Sequence, residues 1–167
     1  IRLHLDSIVL FKNQSYPSSF QLSVLSMEEF GKASELEHYY WNSIIHGRMK
    51  PEEEKKYFEL YYMHPWKQEA AIGREQLNYS PKYYKLIKKK GLESKKQNAT
   101  YVGFKRTKGK IDSKARIQSP FSINSDDAKQ QISILNEIFL DLCRLNIGQE
   151  GCFDIEEMDT LIDIKLK

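Results

Sequence analysis

The residues best suited to chemistry lie in two short stretches. Residues 22 to 36 read Leu-Ser-Val-Leu-Ser-Met-Glu-Glu-Phe-Gly-Lys-Ala-Ser-Glu-Leu and place Glu28, Glu29 and Lys32 inside an apolar run. Residues 62 to 67 read Tyr-Met-His-Pro-Trp-Lys and set His64 and Lys67 around Trp66. An imidazole whose tautomer is fixed by a carboxylate can give or take a proton, and an ammonium beside it can stabilise an anion. Glu28 or Glu29 paired with His64 or Lys67 would make a semi-buried four-charge cluster. Such a cluster can serve structure or catalysis, because perturbed charges gather at active sites and in structural ion pairs alike.

The elements that must position these residues are helical. Phe20, Leu22, Val24, Leu25, Met27, Phe30, Leu36 and Tyr40 recur every three or four positions, which predicts a core helix from about Pro17 to Ile45. Lys32 falls four residues after Glu28 and three after Glu29, the spacings at which helical side chains meet. The pair is either a surface ion pair or part of a buried network. Gly31 bears on that choice, since a glycine inside a helix costs about 1 kcal/mol relative to alanine and suggests close approach by another element.

The rest of the chain reads as helices too. Leu3, Leu5, Ile8, Val9 and Phe11 predict a first helix, Tyr16 to Ser19 a turn, and Gly47 a left-handed cap after the second helix. Pro51 followed by Glu52, Glu53 and Glu54 opens a third, with carboxylates at the positive end of its dipole. His64-Pro65 interrupts the pattern, and Trp66, Ala70 and Ala71 carry it on. Ser80-Pro81 starts a short helix that Gly91 is expected to stop. Thr100 to Phe104 and Ala115 to Gln118 could pair as a hairpin across Lys105 to Lys114. Ser125-Asp126-Asp127 caps an amphipathic helix built on Ala128, Ile132, Leu135, Ile138, Phe139, Leu142 and Leu145, and Asp154 to Glu157 open a last one. The expected fold is therefore all-α, one domain over residues 1–167, with about five or six bundled helices and an irregular or β-hairpin excursion near residues 99–120.

A chain of 167 residues can bury a core unaided. Its net charge of +3 hides an asymmetry: residues 80–118 carry 13 Lys and Arg against only Glu93 and Asp112, while both flanks are net acidic. With Tyr79, Tyr83, Tyr84, Tyr101 and Phe104 interleaved, this basic excursion has the composition of a polyanion-binding surface, or of a solvated lysine-rich face. Lys85, Lys88, Lys89, Lys90, Lys105 and Arg106 are its candidate nucleic-acid or partner contacts. No apolar run approaches the ~18 residues of a membrane span. Cys143 and Cys152 make neither a zinc set nor a disulfide framework, which fits a reduced cytoplasmic setting. His4, His38, His46 and His64 show no metal spacing, and Glu35-Leu-Glu-His38 has no second copy of the kind a carboxylate-bridged metal bundle requires. No metal or cofactor is expected, and no phosphate loop or nucleophile elbow occurs.

Ser23 to Lys32, with its Glu-Glu-x-Gly-Lys element, and Tyr62 to Lys67 together resemble the AbiV family of abortive-infection proteins, in the HEPN superfamily of helical bundles. Leu86-Ile-Lys-Lys-Lys-Gly-Leu92, a short aromatic segment ending at Tyr101, and Ser119-Pro-Phe121 before Ser125 to Ala128 agree, so the likeness runs from Leu3 to about Leu145. The resemblance implies a bacterial antiphage protein that arrests growth or phage production, usually as a homodimer, with a phage protein as trigger or target. Many HEPN relatives are metal-independent endoribonucleases that use an Arg with a His four to six residues on. Here Arg48 is followed only by the distant His64, and Arg74, Arg106, Arg116 and Arg144 have no later His. Two readings follow: an effector that binds a phage protein, RNA or the ribosome, and a ribonuclease with a divergent site. In the second, His64 is the acid or base, Lys32 or Lys67 the charge stabiliser, and Glu29 the residue that orients them.

Overall fold

A computed structural model of the chain describes residues 1–73, 81–104, 106–107, 110–111 and 117–145, without the side chains of 106–107, 110 and 142–145. The expected last helix, Cys152, Lys105 and the side chains of Arg106 and Cys143 lie outside the described residues. Seven α-helices are seen among those residues, α1 (Arg2–Lys12), α2 (Tyr16–His46), α3 (Pro51–Tyr61), α4 (His64–Gly73), α5 (Pro81–Lys88), α6 (Gly91–Thr100) and α7 (Ser125–Leu145). The fold is all-α, with two short strands, β1 (Arg106–Thr107) and β2 (Lys110–Ile111), in the excursion. The chain forms two compact units, one of residues Ile1–Ser23 with Asn98–Lys167 and one of Val24–Gln97.

In the first unit α1 packs along α7. The face α1 buries is not the apolar set its sequence suggests, for Val9 is exposed and the buried positions are His4, Ser7 and Ile8. Each polar member is accommodated by a specific bond. Ser7 Oγ donates to the His4 carbonyl at 2.6 Å, Ser19 Oγ donates to the Ser7 carbonyl at 2.7 Å, and His4 Nε2 meets Asn136 Oδ1 of α7 at 3.2 Å. The ring of His4 stands edge-on to Phe139 at 5.3 Å. The α1–α2 turn falls at Asn13 to Ser15, with Gln14 in the left-handed region at φ 61°, so α2 begins at Tyr16. At the start of α7 the cap is Asn124 rather than Ser125, because Asn124 Oδ1 accepts the Asp127 amide at 2.9 Å. Gly103 and Gln118, in the two segments expected to pair, exchange both backbone bonds, whereas the two strands, with Arg106 facing Ile111 in an antiparallel register, fall inside the expected loop from Lys105 to Lys114.

In the second unit α3 and α5 each pack on α4. Gly47, at φ 82°, ends α2 in the left-handed conformation expected of a glycine cap. The stop after α5 is different. Lys90 adopts the left-handed turn, at φ 57°, and the chain resumes as α6 from Gly91, a segment whose polar composition gave no sign of a helix. Space at Gly91 is tight, since a Cβ would displace the end of the Leu86 side chain and come within 3.1 Å of its carbonyl.

Burial pushes the His4 imidazole down from its ordinary 6.5 to about 4, so the folded chain holds it neutral. The unfolded chain binds a proton there below about pH 6.5, so this term lowers stability as pH falls from about 6.5 to 4 and is complete below that. We predict a loss of about 3 kcal/mol from this residue across that window, and a His4→Gln variant should show a correspondingly flatter profile in urea unfolding at pH 7 and pH 4.5. Parallel profiles would refute it.

Candidate functional site

Three helices of the second unit converge on one carboxylate. Glu28, on α2, is 1% exposed, and such a group is stable only if donors replace the water it loses. All of them come from α4 and α6. His64 Nδ1 donates to Glu28 Oε2 at 2.7 Å, and Gln68 Nε2 and Lys96 Nζ donate to Oε1, each at 2.7 Å. His64 and Gln68 stand one turn apart on α4 and so face α2 together. Lys96 is shared with Glu93 Oε2 at 2.9 Å, one turn earlier on α6, and Glu93 also accepts from Gln68 at 3.2 Å and Gln97 at 3.0 Å.

The approach of α4 to α2 depends on Gly31. A Cβ at that position would collide with the Lys67 carbonyl oxygen and stand 2.9 Å from the Ala71 amide nitrogen, so only glycine lets the two backbones meet. The close approach anticipated from an out-of-place glycine is present. The α3 helix is fastened to α2 by tyrosines. Tyr61 Oη donates to the Lys32 carbonyl at 2.9 Å, Tyr57 Oη lies 3.1 Å from both the carbonyl and the carboxylate of Glu35, and Tyr39 donates to Glu54. Burial raises Tyr57, and the bond to Glu35 adds to it; burial likewise raises Tyr61, while the carboxylate bond raises Tyr39.

The four residues singled out in the sequence do not all gather here. His64 joins Glu28. Glu29 and Lys32 lie apart as a solvent-facing pair at 3.6 Å, with the Lys32 ammonium 5.8 Å from the Tyr61 ring centre. Lys67 is buried, its side chain makes no hydrogen bond or ion pair with another described residue, and its backbone forms the contact at Gly31. The carboxylate that orients the imidazole is thus Glu28 rather than Glu29. Gln68, Glu93 and Lys96 were not foreseen. They share a centre with Glu28 only because α6 exists, and Gly91 followed by polar residues hides that helix.

Chemically, the cluster holds His64 in one tautomer. Its Nδ1–H is engaged by Glu28, which leaves Nε2 as the nitrogen available to a partner, and the side chain is 51% exposed. Glu28, His64 and Glu93 also present three donor atoms within 4.8 Å of one another, a possible cation site. Among the basic candidates, Lys85, Lys89 and Lys90 are exposed around α5, whereas Lys88 is tied to Glu69 at 2.6 Å, and that bond raises its affinity for its proton.

The architecture is that of a helical bundle whose second unit is fastened by a buried ion network. The family model HEPN_AbiV, described as AbiV, matches residues 1–141, and the chain belongs to this HEPN family. Membership associates it, at the level of the family, with abortive-infection defence against phage. Comparisons with curated proteins and with solved structures found no match. Among the described residues no helix is long and apolar enough to cross a membrane.

Removing the Glu28 carboxylate strands the Lys96 ammonium, 9% exposed, and the Gln68 amide. Glu28→Ala should therefore lower stability by about 3–5 kcal/mol, and His64→Ala, at a half-exposed position, by about 1 kcal/mol or less. Equal losses in urea unfolding would show that the imidazole, not the ammonium, is the essential partner.

Proposed function

We propose that this chain is an antiphage effector of the bacterial cytoplasm that arrests growth or phage production by binding, as a homodimer, a phage protein or a component of translation or its RNA. The observation that carries this reading is the closure of the Glu28 network: three donors satisfy one carboxylate, which is what a lock between helices requires. The groups left facing solvent suit contact. Lys85, Lys89 and Lys90 form an exposed basic group around α5, fit for a polyanion. Leu36, Tyr40 and Ile44 recur every fourth position on α2 and are exposed with Trp41 and Ile45, an apolar ridge of the kind that pairs across a dimer face.

A second reading, a metal-independent endoribonuclease, is supported by the half-exposed imidazole of His64. With Nδ1 held by Glu28, Nε2 could accept the proton of a ribose 2′-hydroxyl and return it to the leaving oxygen. The exposed part of Lys32 would supply the positive charge that such a step needs.

Both readings are tested in a phage-challenged bacterium expressing the chain, with purified protein incubated in parallel with total cellular RNA. The binding reading expects Lys85→Glu/Lys89→Glu/Lys90→Glu to abolish protection while leaving thermal stability and oligomeric state unchanged, and His64→Ala to protect fully. Full protection by the lysine variant would overturn the polyanion contact. RNA cleavage that disappears in folded His64→Ala would establish the ribonuclease instead.

A further inference from the structure

One cationic side chain of the second unit, Lys96, bridges two of three residues that could together hold a metal ion. The donor atoms of Glu28, His64 and Glu93 lie within 4.8 Å of one another, and two carboxylate oxygens with an imidazole nitrogen suit zinc-class divalent ions at about 2.0–2.2 Å. The Lys96 ammonium is held by both carboxylates, 2.7 Å from Glu28 and 2.9 Å from Glu93. Two carboxylates share one ammonium there, and a cation of higher charge would balance both. Gln68 adds a second indication. It is fully buried, its Nε2 faces both carboxylates, and its Oε1 has no donor among the described residues. Turned over, that amide would direct an oxygen at the same centre.

We propose that Glu28, His64 and Glu93 form a latent site for a zinc-class divalent cation, which the native chain keeps closed by supplying the Lys96 ammonium as its own cation. A metal ion and an ammonium cannot share so small a buried volume, because like charges at this separation repel strongly where water is scarce. Lys96→Met keeps the length and apolar stem of the side chain and removes the charge, leaving two carboxylates and an imidazole that need a cation. His64, half-exposed, is the route from solvent.

The test uses metal-stripped full-length protein titrated with zinc chloride, followed by calorimetry and thermal unfolding. Wild type should show no zinc-dependent change. Lys96→Met should bind one equivalent and gain roughly 5 °C in Tm at a hundredfold excess over Kd, and Lys96→Met/His64→Ala should lose both. If Lys96→Met is unfolded without metal, zinc should restore its helical circular dichroism. A Lys96→Met variant that neither binds zinc nor is refolded by it overturns the proposal. So does one-equivalent binding by wild type that His64→Ala removes, since Lys96 would then not exclude the metal.

Discussion

The second unit is organised by the need of one buried carboxylate for donors. Glu28 sits on the apolar side of α2, beside Met27 and one turn beyond Val24, where an unpaired charge would cost several kcal/mol. Its own helix cannot supply the partners: Lys32, one turn along, pairs with Glu29 instead. The donors have to come from other helices, and each imposes a position. His64 and Gln68 require α4 to cross α2 with its first turn over Glu28, and Lys96 requires α6 to return to the same point. Gly31 permits the first of these, because any larger residue would hold the α4 backbone away. Apolar burial brings the helices together, and the carboxylate selects one arrangement among those that apolar packing alone would tolerate.

What could be read in the sequence follows from the range of the forces involved. Helix periods, the Pro51 start and the Gly47 cap are set within a few residues, and they stand where local chemistry puts them, while the break expected at His64-Pro65 falls just before it, at Tyr62-Met63, with His64 already in α4. The meaning of Gly31 was legible for a related reason: a residue that weakens its own helix points to a demand from outside it. The sequence was less informative where a local signal was ambiguous. Gly91 reads as a stop, yet Lys90 makes the turn and the glycine serves to clear Leu86, so α6 and the two charged residues it brings to Glu28 were missed. The buried face of α1 was missed for the opposite reason. His4 and Ser7 look like surface residues, and only bonds to Asn136 and to the backbone make them core.

The site was therefore half visible. Glu28 and His64 could be anticipated together because each breaks a local pattern, one as a charge in an apolar stripe and the other as a histidine at a proline-marked helix start. Lys96 breaks none. It lies in a lysine-rich segment where 13 basic residues make any single one unremarkable, and its burial depends wholly on tertiary structure. Counting charge along the chain identifies a basic surface but cannot distinguish the lysine that turns inward from those that remain in water.

That distinction bears on how a lock and a site can coincide. Of the four residues bonded to Glu28 and Glu93, Lys96 and Gln68 are buried and donate to both carboxylates, whereas His64 uses one ring nitrogen inward and keeps the other toward solvent. The buried part needs rigidity, and the exposed part inherits it. An imidazole held through a carboxylate that is itself held by two further donors has little freedom to turn, whatever approaches Nε2. The same bonds that fasten α2, α4 and α6 therefore define a fixed chemical group at the surface of the second unit. A structural origin for the network does not argue against a functional use of the one member it leaves accessible.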